Sequence, residues 1–174
     1  CDKDVMHGAM AFYHACKKAG IKPIFGLEFV CSIEEQDVYL HAYAKADIGY
    51  RVLLKLSSYI NTHDSKITLE ELRQFDDQLI FTTAGAHDYL RSLNTPEKRN
   101  ELSEILLSLK NNFQEFYLAI AMNDSNFLKQ QNASLKITAA TLKIKTFAMS
   151  RIYFGRKEDE EAYKVLCAID QQRT

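Results

Sequence analysis

The sequence predicts an α/β fold in which a mostly parallel sheet or barrel is flanked by helices. Short apolar runs of strand length alternate with longer segments whose apolar residues recur at helical spacing. Glycine, proline and capping residues punctuate the boundaries between them. No repeat, glycine-serine linker or low-complexity stretch divides the 174 residues, so a single domain over residues 1–174 is expected.

Ala9, Phe12, Tyr13 and Cys16 lie at helical spacing and predict a first helix over residues 8–19, stopped by Gly20. Pro23 leads into a strand at residues 24–30, and residues 38–43 form a second strand only a few positions later. Val52, Leu53, Leu56 and Ile60 mark the buried face of a helix over residues 47–61. Thr68 and Glu71 have the spacing of a capping box opening a short helix to Phe75. A strand follows at residues 79–83. Thr95-Pro96-Glu97 supplies an N-cap, a first-turn proline and an early acid for a helix to about Lys110. Residues 116–122 and 146–149 read as strands around a helix at 125–142. A last helix over 159–170 carries Ala162, Val165, Leu166 and Ile169 on one face.

Composition excludes several functions. Apolar residues make up 47% and charged residues 26%, as in ordinary soluble domains. No apolar run approaches the roughly 20 residues of a membrane helix. Cys1-Asp2-Lys3-Asp4 is charged where a signal peptide is apolar, so a cytoplasmic location is expected. The net charge is −1, with 22 basic and 23 acidic residues, whereas a surface gripping DNA phosphates carries a basic excess. Lys17-Lys18 and the dispersed Lys136, Lys143 and Lys145 read as solvated surface, and little direct DNA binding is expected. Cys1, Cys16, Cys31 and Cys167 form no C-x-x-C pair and read as free thiols. There is no phosphate-cradling glycine loop, G-x-S-x-G elbow or H-E-x-x-H. Asp76-Asp77 reads as a solvated acidic turn.

Three blocks carry a family resemblance. Asp2 through Ala9, then Phe12-Tyr13 and Ala15 through Glu28, resemble T-D-H-x-x-M-x-G-A followed by F-Y-x-A-C-K-x-x-G-I-x-P-I-x-G-x-E. Ala44-Lys45, Gly49-Tyr50 and Leu54 through Ser58 resemble A-K-x-x-x-G-Y-x-x-L-x-x-L-S-S. Glu158-Asp159, Ala162 and Val165 through Ile169 resemble E-D-x-x-A-x-x-V-L-x-x-I. These are motifs of the PHP domain of bacterial DNA polymerase III alpha subunits, while residues 62–145 match weakly. The resemblance implies a PHP-type distorted β/α barrel (TIM-like) at the N-terminus of a replicative polymerase. It also implies that the family's H-x-H segment lies upstream of Cys1, so that the barrel is incomplete at its N-terminus and lacks the first strand-helix unit. The chain opens in what reads as the end of a strand, so either residues are missing there or the fold is open at that end.

PHP phosphoesterases gather Zn or Mn ions on His, Asp, Glu and Cys side chains at strand ends, where the metals activate water for attack on phosphorus. By the resemblance, Asp2 and Glu28 retain family ligands. Lys3, Tyr39, Gly85, Arg151 and Tyr153 stand where the family has other ligands, and Arg151 is a permanent cation. A degraded metal site without catalytic residues or cofactor is therefore expected. Lys3 or Arg151 pairs with Glu28 or Asp2 to brace the strand ends, or both cations point to solvent. His41 shares a strand face with Tyr39 and is either a displaced ligand or, the favoured reading, a hydrogen-bonded interior histidine. His87 reads as a loop residue, and His7 and His14 as partly buried helix residues.

The resemblance implies a non-catalytic structural and docking module within a DNA-directed DNA polymerase, a nucleotidyltransferase using Mg through acids outside this chain. Its partners would be the rest of the polymerase chain, with a proofreading nuclease or another replisome protein as a further docking partner. The alternatives are a metal-dependent phosphoesterase, acting as a 3′–5′ exonuclease or pyrophosphatase, and a free-standing PHP phosphatase.

Overall fold

The structure is a computed structural model that describes residues 1–34, 36–63, 66–85, 89–122, 125–150 and 152–170. Among the described residues, seven strands form one sheet: β1 (Asp2–Lys3), β2 (Gly26–Ile33), β3 (Gln36–Ala44), β4 (Ile67–Thr68), β5 (Leu79–Thr83), β6 (Phe116–Ala121) and β7 (Lys145–Met149). The order is β1-β2-β3-β5-β6-β7, with β4 also paired to β2. β1 pairs near the start of β2 and β4 farther along it, while β3 pairs along the whole of β2. The helices are α1 (Ala9–Lys18), α2 (Asp47–Thr62), α3 (Leu69–Leu72), α4 (Tyr89–Ser92), α5 (Arg99–Asn112), α6 (Asn126–Thr141) and α7 (Glu160–Asp170).

The sheet is less uniformly parallel than the alternation predicts, because β3 runs antiparallel to both β2 and β5. The reason is the short link. Ile33 pairs with Gln36, whereas a parallel connection needs a crossover of about a dozen residues. Glu34 turns the chain with a φ of 47°, in the left-handed region. The remaining pairs, β1–β2, β2–β4, β5–β6 and β6–β7, are parallel.

The core lies between the sheet and its helices. Leu27, Phe29, Leu40, Leu79 and Phe81 from the sheet meet Leu53, Leu56 and Ile60 of α2 and Leu102 and Leu106 of α5. Phe81 stacks on Phe113 with centroids 4.1 Å apart. Gly49 sets how closely α2 seats. A β-carbon there would lie 2.6 Å from the Gln78 carbonyl oxygen and 3.0 Å from the Ala44 Cα.

Several boundaries differ from expectation. α5 begins at Arg99, not at Pro96, with Lys98 as its N-cap. The preceding turn is held by tertiary bonds: Asn94 donates to the Gln131 carbonyl at 2.9 Å and accepts from the Ser134 hydroxyl at 2.8 Å. His7 precedes α1, and both His7 and His14 are exposed, where partial burial was expected. The apolar face of α7 is also uncovered: Val165, Leu166 and Ile169 are 57%, 64% and 68% exposed. The four thiols are free, and burial pushes that of Cys31 up to about 12. Among the described residues no helix is long and apolar enough to cross a membrane.

The capping box forms as its spacing predicts. The Thr68 hydroxyl accepts from the Glu71 amide at 3.3 Å, and the Glu71 carboxylate accepts from the Thr68 amide at 2.9 Å and the Tyr59 hydroxyl at 2.7 Å. The Thr68 amide bond first, then the Tyr59 and Thr68 hydroxyls, lower the Glu71 pKa from 4.5 to about 2.

Two outcomes follow. Gly49→Ala should cost about 1–3 kcal/mol in urea unfolding, since the helix must shift off the strand ends. Because the folded Glu71 pKa is depressed, its contribution is present above pH 4.5 and lost as the pH falls toward 2. Glu71→Gln should therefore flatten the stability profile between pH 5 and pH 2. An unchanged slope would assign the acid transition to other carboxylates.

Candidate functional site

Strand register builds the site. The β1–β2 pairing sets Lys3 beside Glu28, and the β2–β3 pairing sets Glu28 opposite His41. Cross-strand partners project to the same face, so the three side chains form a row across the sheet. Tyr39 and Tyr43 lie two residues either side of His41 and share its face. The sheet curls far enough for the segment after β7 to meet this row. Lys3, Glu28, His41, Tyr43, Met149 and Tyr153 line a cavity of about 340 Å³.

Glu28 and His41 are 7% and 5% exposed, and the His41 Nε2 lies 2.8 Å from the Glu28 carboxylate. A carboxylate only accepts, so Nε2 carries the proton. In the neutral imidazole, Nδ1 then accepts from the Tyr43 hydroxyl at 3.2 Å. Burial first, and then the neighbouring Glu28 charge, raise the Tyr43 pKa, which keeps the phenol protonated as a donor. The Lys3 ammonium sits over the Tyr39 ring, 5.4 Å from its centroid.

Of the two acids that the resemblance singles out, Glu28 lies in the row and Asp2 does not. Asp2 precedes Lys3 on β1 and lines a separate cavity of about 150 Å³ with Met6, Gly8 and Phe25. Among the described residues Lys3 makes no ion pair with either acid, so its part in the expected bracing is replaced by the contact with Tyr39. Arg151 and His87 lie outside the described residues. Gly85 follows β5 with a φ of 89°, a conformation that disfavours a side chain there, while the one close contact of a β-carbon, 2.5 Å from the movable Met149 Cε, could be relieved. Tyr153 is half exposed and stacks on Tyr163 at 5.3 Å. Asp76 is buried and accepts from the Gln114 amide, in place of the solvated turn expected of it.

Sequence reasoning passed over two participants. Tyr43 had a legible signal, the two-residue strand period from His41. Asp4 had none. Its backbone takes a φ of 60°, its amide donates to the Glu28 carbonyl at 2.8 Å, and its carbonyl accepts from Ser57 and Asn61 of α2. Burial first raises the Asp4 pKa, with Glu28 adding to it and Lys3 opposing, and one buried carboxylate oxygen has no hydrogen-bond partner.

This donor set does not fit a metal cluster. His41 already occupies a Glu28 oxygen, and the Lys3 ammonium lines the same cavity, where a divalent ion would be repelled. Among the described residues, no group of three or more His, Cys, Asp or Glu side chains could hold a metal ion.

Residues 1–125 match the PHP domain family, and the chain belongs to that family. Its mixed sheet with flanking helices is consistent with the PHP-type distorted barrel. It corresponds to the PHP-domain region of bacterial DNA polymerase III alpha subunits. It is 32% identical to the DNA polymerase III subunit alpha of Halalkalibacterium halodurans, over 97% of this chain and 15% of that protein. It is 33% identical to that of Bacillus subtilis, over 97% of this chain and 15% of the relative. For Borreliella burgdorferi the identity is 27%, over 97% and 16%. The chain thus spans about 15% of the length of the first of these relatives.

His41→Phe keeps an aromatic ring and removes the donor to Glu28, and should cost about 2–4 kcal/mol in urea unfolding. Tyr43→Phe, which removes one neutral hydrogen bond, should cost about 1 kcal/mol. Equal losses in the two variants would mean that the carboxylate–imidazole bond carries no special weight.

Proposed function

We propose that this chain is a non-catalytic structural and docking module of a replicative DNA polymerase, the PHP region of a DNA polymerase III alpha subunit. The observation that carries this reading is the strand-end cavity, which Lys3 lines beside a Glu28–His41–Tyr43 hydrogen-bond chain and which, among the described residues, lacks a metal-binding donor set. Metal-activated hydrolysis needs several carboxylates and imidazoles free to face cations. A buried, mutually satisfied polar chain instead ties strand ends together.

On this reading the polymerase's nucleotidyl transfer, with its Mg ions, belongs to acids beyond this chain, and the module itself uses no Zn, Mn or Mg. The near-neutral charge of −1 supports a role facing protein more than DNA phosphates. Its partners are the rest of the polymerase chain and a proofreading nuclease or another replisome protein, in the cytoplasm.

Elemental analysis of the purified chain after dialysis against Zn²⁺ or Mn²⁺ should find far less than one metal per chain. A 3′-labelled oligonucleotide and pyrophosphate should both survive incubation with it. Stoichiometric metal together with hydrolysis that His41→Phe abolishes would replace this reading with a metal-dependent phosphoesterase.

A further inference from the structure

We infer that the groove between α1 and α2 docks an acidic, amphipathic segment of a partner protein. The inference rests on the docking reading above and supplies the chemistry of the occupant.

The groove encloses about 750 Å³, more than twice the volume of the strand-end cavity. Residues of α1, the lead-in to β2 and the first turns of α2 wall it. Its floor is aromatic. Phe25 packs on Tyr50 with centroids 4.9 Å apart and on Tyr13 at 6.5 Å, and all three rings are half-buried. Above this floor two aliphatic side chains stand in solvent, Met10 at 56% and Ile24 at 63% exposure. A volume of this size takes two or three apolar side chains of a docked segment.

The rim selects the sign of the partner. Lys17, Lys22 and Arg51 line the groove and make no ion pair among the described residues. Lys45 also lines it, but its ammonium is taken by Glu115 at 2.8 Å. Asp47 is the one carboxylate in the lining. Three uncompensated cations against one acid make this a positive patch on a chain whose net charge is −1. The complement is a segment with bulky apolar residues flanked by aspartates and glutamates.

A cationic groove with aromatic residues is also the general form of a single-strand nucleic-acid site. Here the half-buried rings pack on one another, Lys17 covers the Tyr13 ring at 5.6 Å, and the most exposed apolar groups of the lining are aliphatic. Bases gain their binding energy from open π faces, which Met10 and Ile24 do not offer. Apolar protein side chains gain theirs from aliphatic contact, and the exposed groups match that.

The test is fluorescence anisotropy with three labelled probes on the 174-residue chain. The first is a synthetic peptide with a leucine-phenylalanine pair set among aspartates and glutamates. The second replaces those acids with lysines, and the third is an oligo-dT strand. The acidic peptide should bind saturably and at least about tenfold tighter than the lysine peptide, weakening as salt is raised. Lys22→Glu with Arg51→Glu should weaken it by about tenfold or more, and Ile24→Ser should weaken it also at high salt. Both changes are at exposed positions, and an unchanged circular dichroism melt excludes unfolding as the cause.

Equal affinity for both peptides overturns the proposal. So does tighter binding of oligo-dT lost in the same variants, which makes the groove a nucleic-acid surface. Self-association in light scattering that Lys22→Glu with Arg51→Glu abolishes makes the occupant a second copy, and overturns it too. Failure of the peptide in a chain that takes up no metal removes the groove and leaves the module reading standing. Stoichiometric metal uptake together with hydrolysis that His41→Phe abolishes removes the module reading whatever the peptide does.

Discussion

The pairing of β2 with β3 sets the geometry on which the rest of the site depends. Ile33 opposite Gln36 sets the register, and that register carries Glu28 to His41 five positions of pairing later. A slip of one residue would turn His41 to the opposite face and leave Glu28 buried without its imidazole. The cost of that outcome holds the hairpin in place, so the polar pair acts as a register lock as well as a contact. Asp4 extends the same lock sideways, because its amide bonds the Glu28 carbonyl while its carbonyl takes two donors from α2.

This row of polar side chains holds together on hydrogen bonds. In a metal cluster, cations draw carboxylates and imidazoles from separate strands toward one point. Here Glu28, His41 and Tyr43 are hydrogen-bonded in a row, and Lys3 beside Glu28 is held over an aromatic ring. An ammonium on a single flexible stem neutralises local negative charge but joins far fewer groups than a multivalent ion does. The Glu28–His41 bond therefore tethers β2 to β3 directly.

The outer surface is less uniform than a net charge of −1 implies. Cations cluster at the α1–α2 groove, while an acidic run at Glu158–Glu161 leads into α7, whose apolar face is open. Each of these regions combines charge with exposed apolar side chains, Met10 and Ile24 at the groove and Val165, Leu166 and Ile169 on α7.

Much of the architecture was legible in the residues. The α2 face, the Thr68–Glu71 capping box and the strands at 79–83 and 116–121 followed from periodicity and cap chemistry, because those signals are local. The resemblance of residues 1–28 to a PHP domain pointed to Glu28 and Lys3 as site positions, and strand spacing pointed to His41. The sequence by itself determined which residues are available at the strand ends and that a cation stands among them. Tertiary structure alone decided their partners: Glu28 bonds His41 and not Lys3, Asp2 faces another cavity, and α5 waits for Arg99 because Asn94 is bound to α6. Such choices depend on distances between segments far apart in the chain, set by sheet register and helix packing, and no local pattern of residues encodes them.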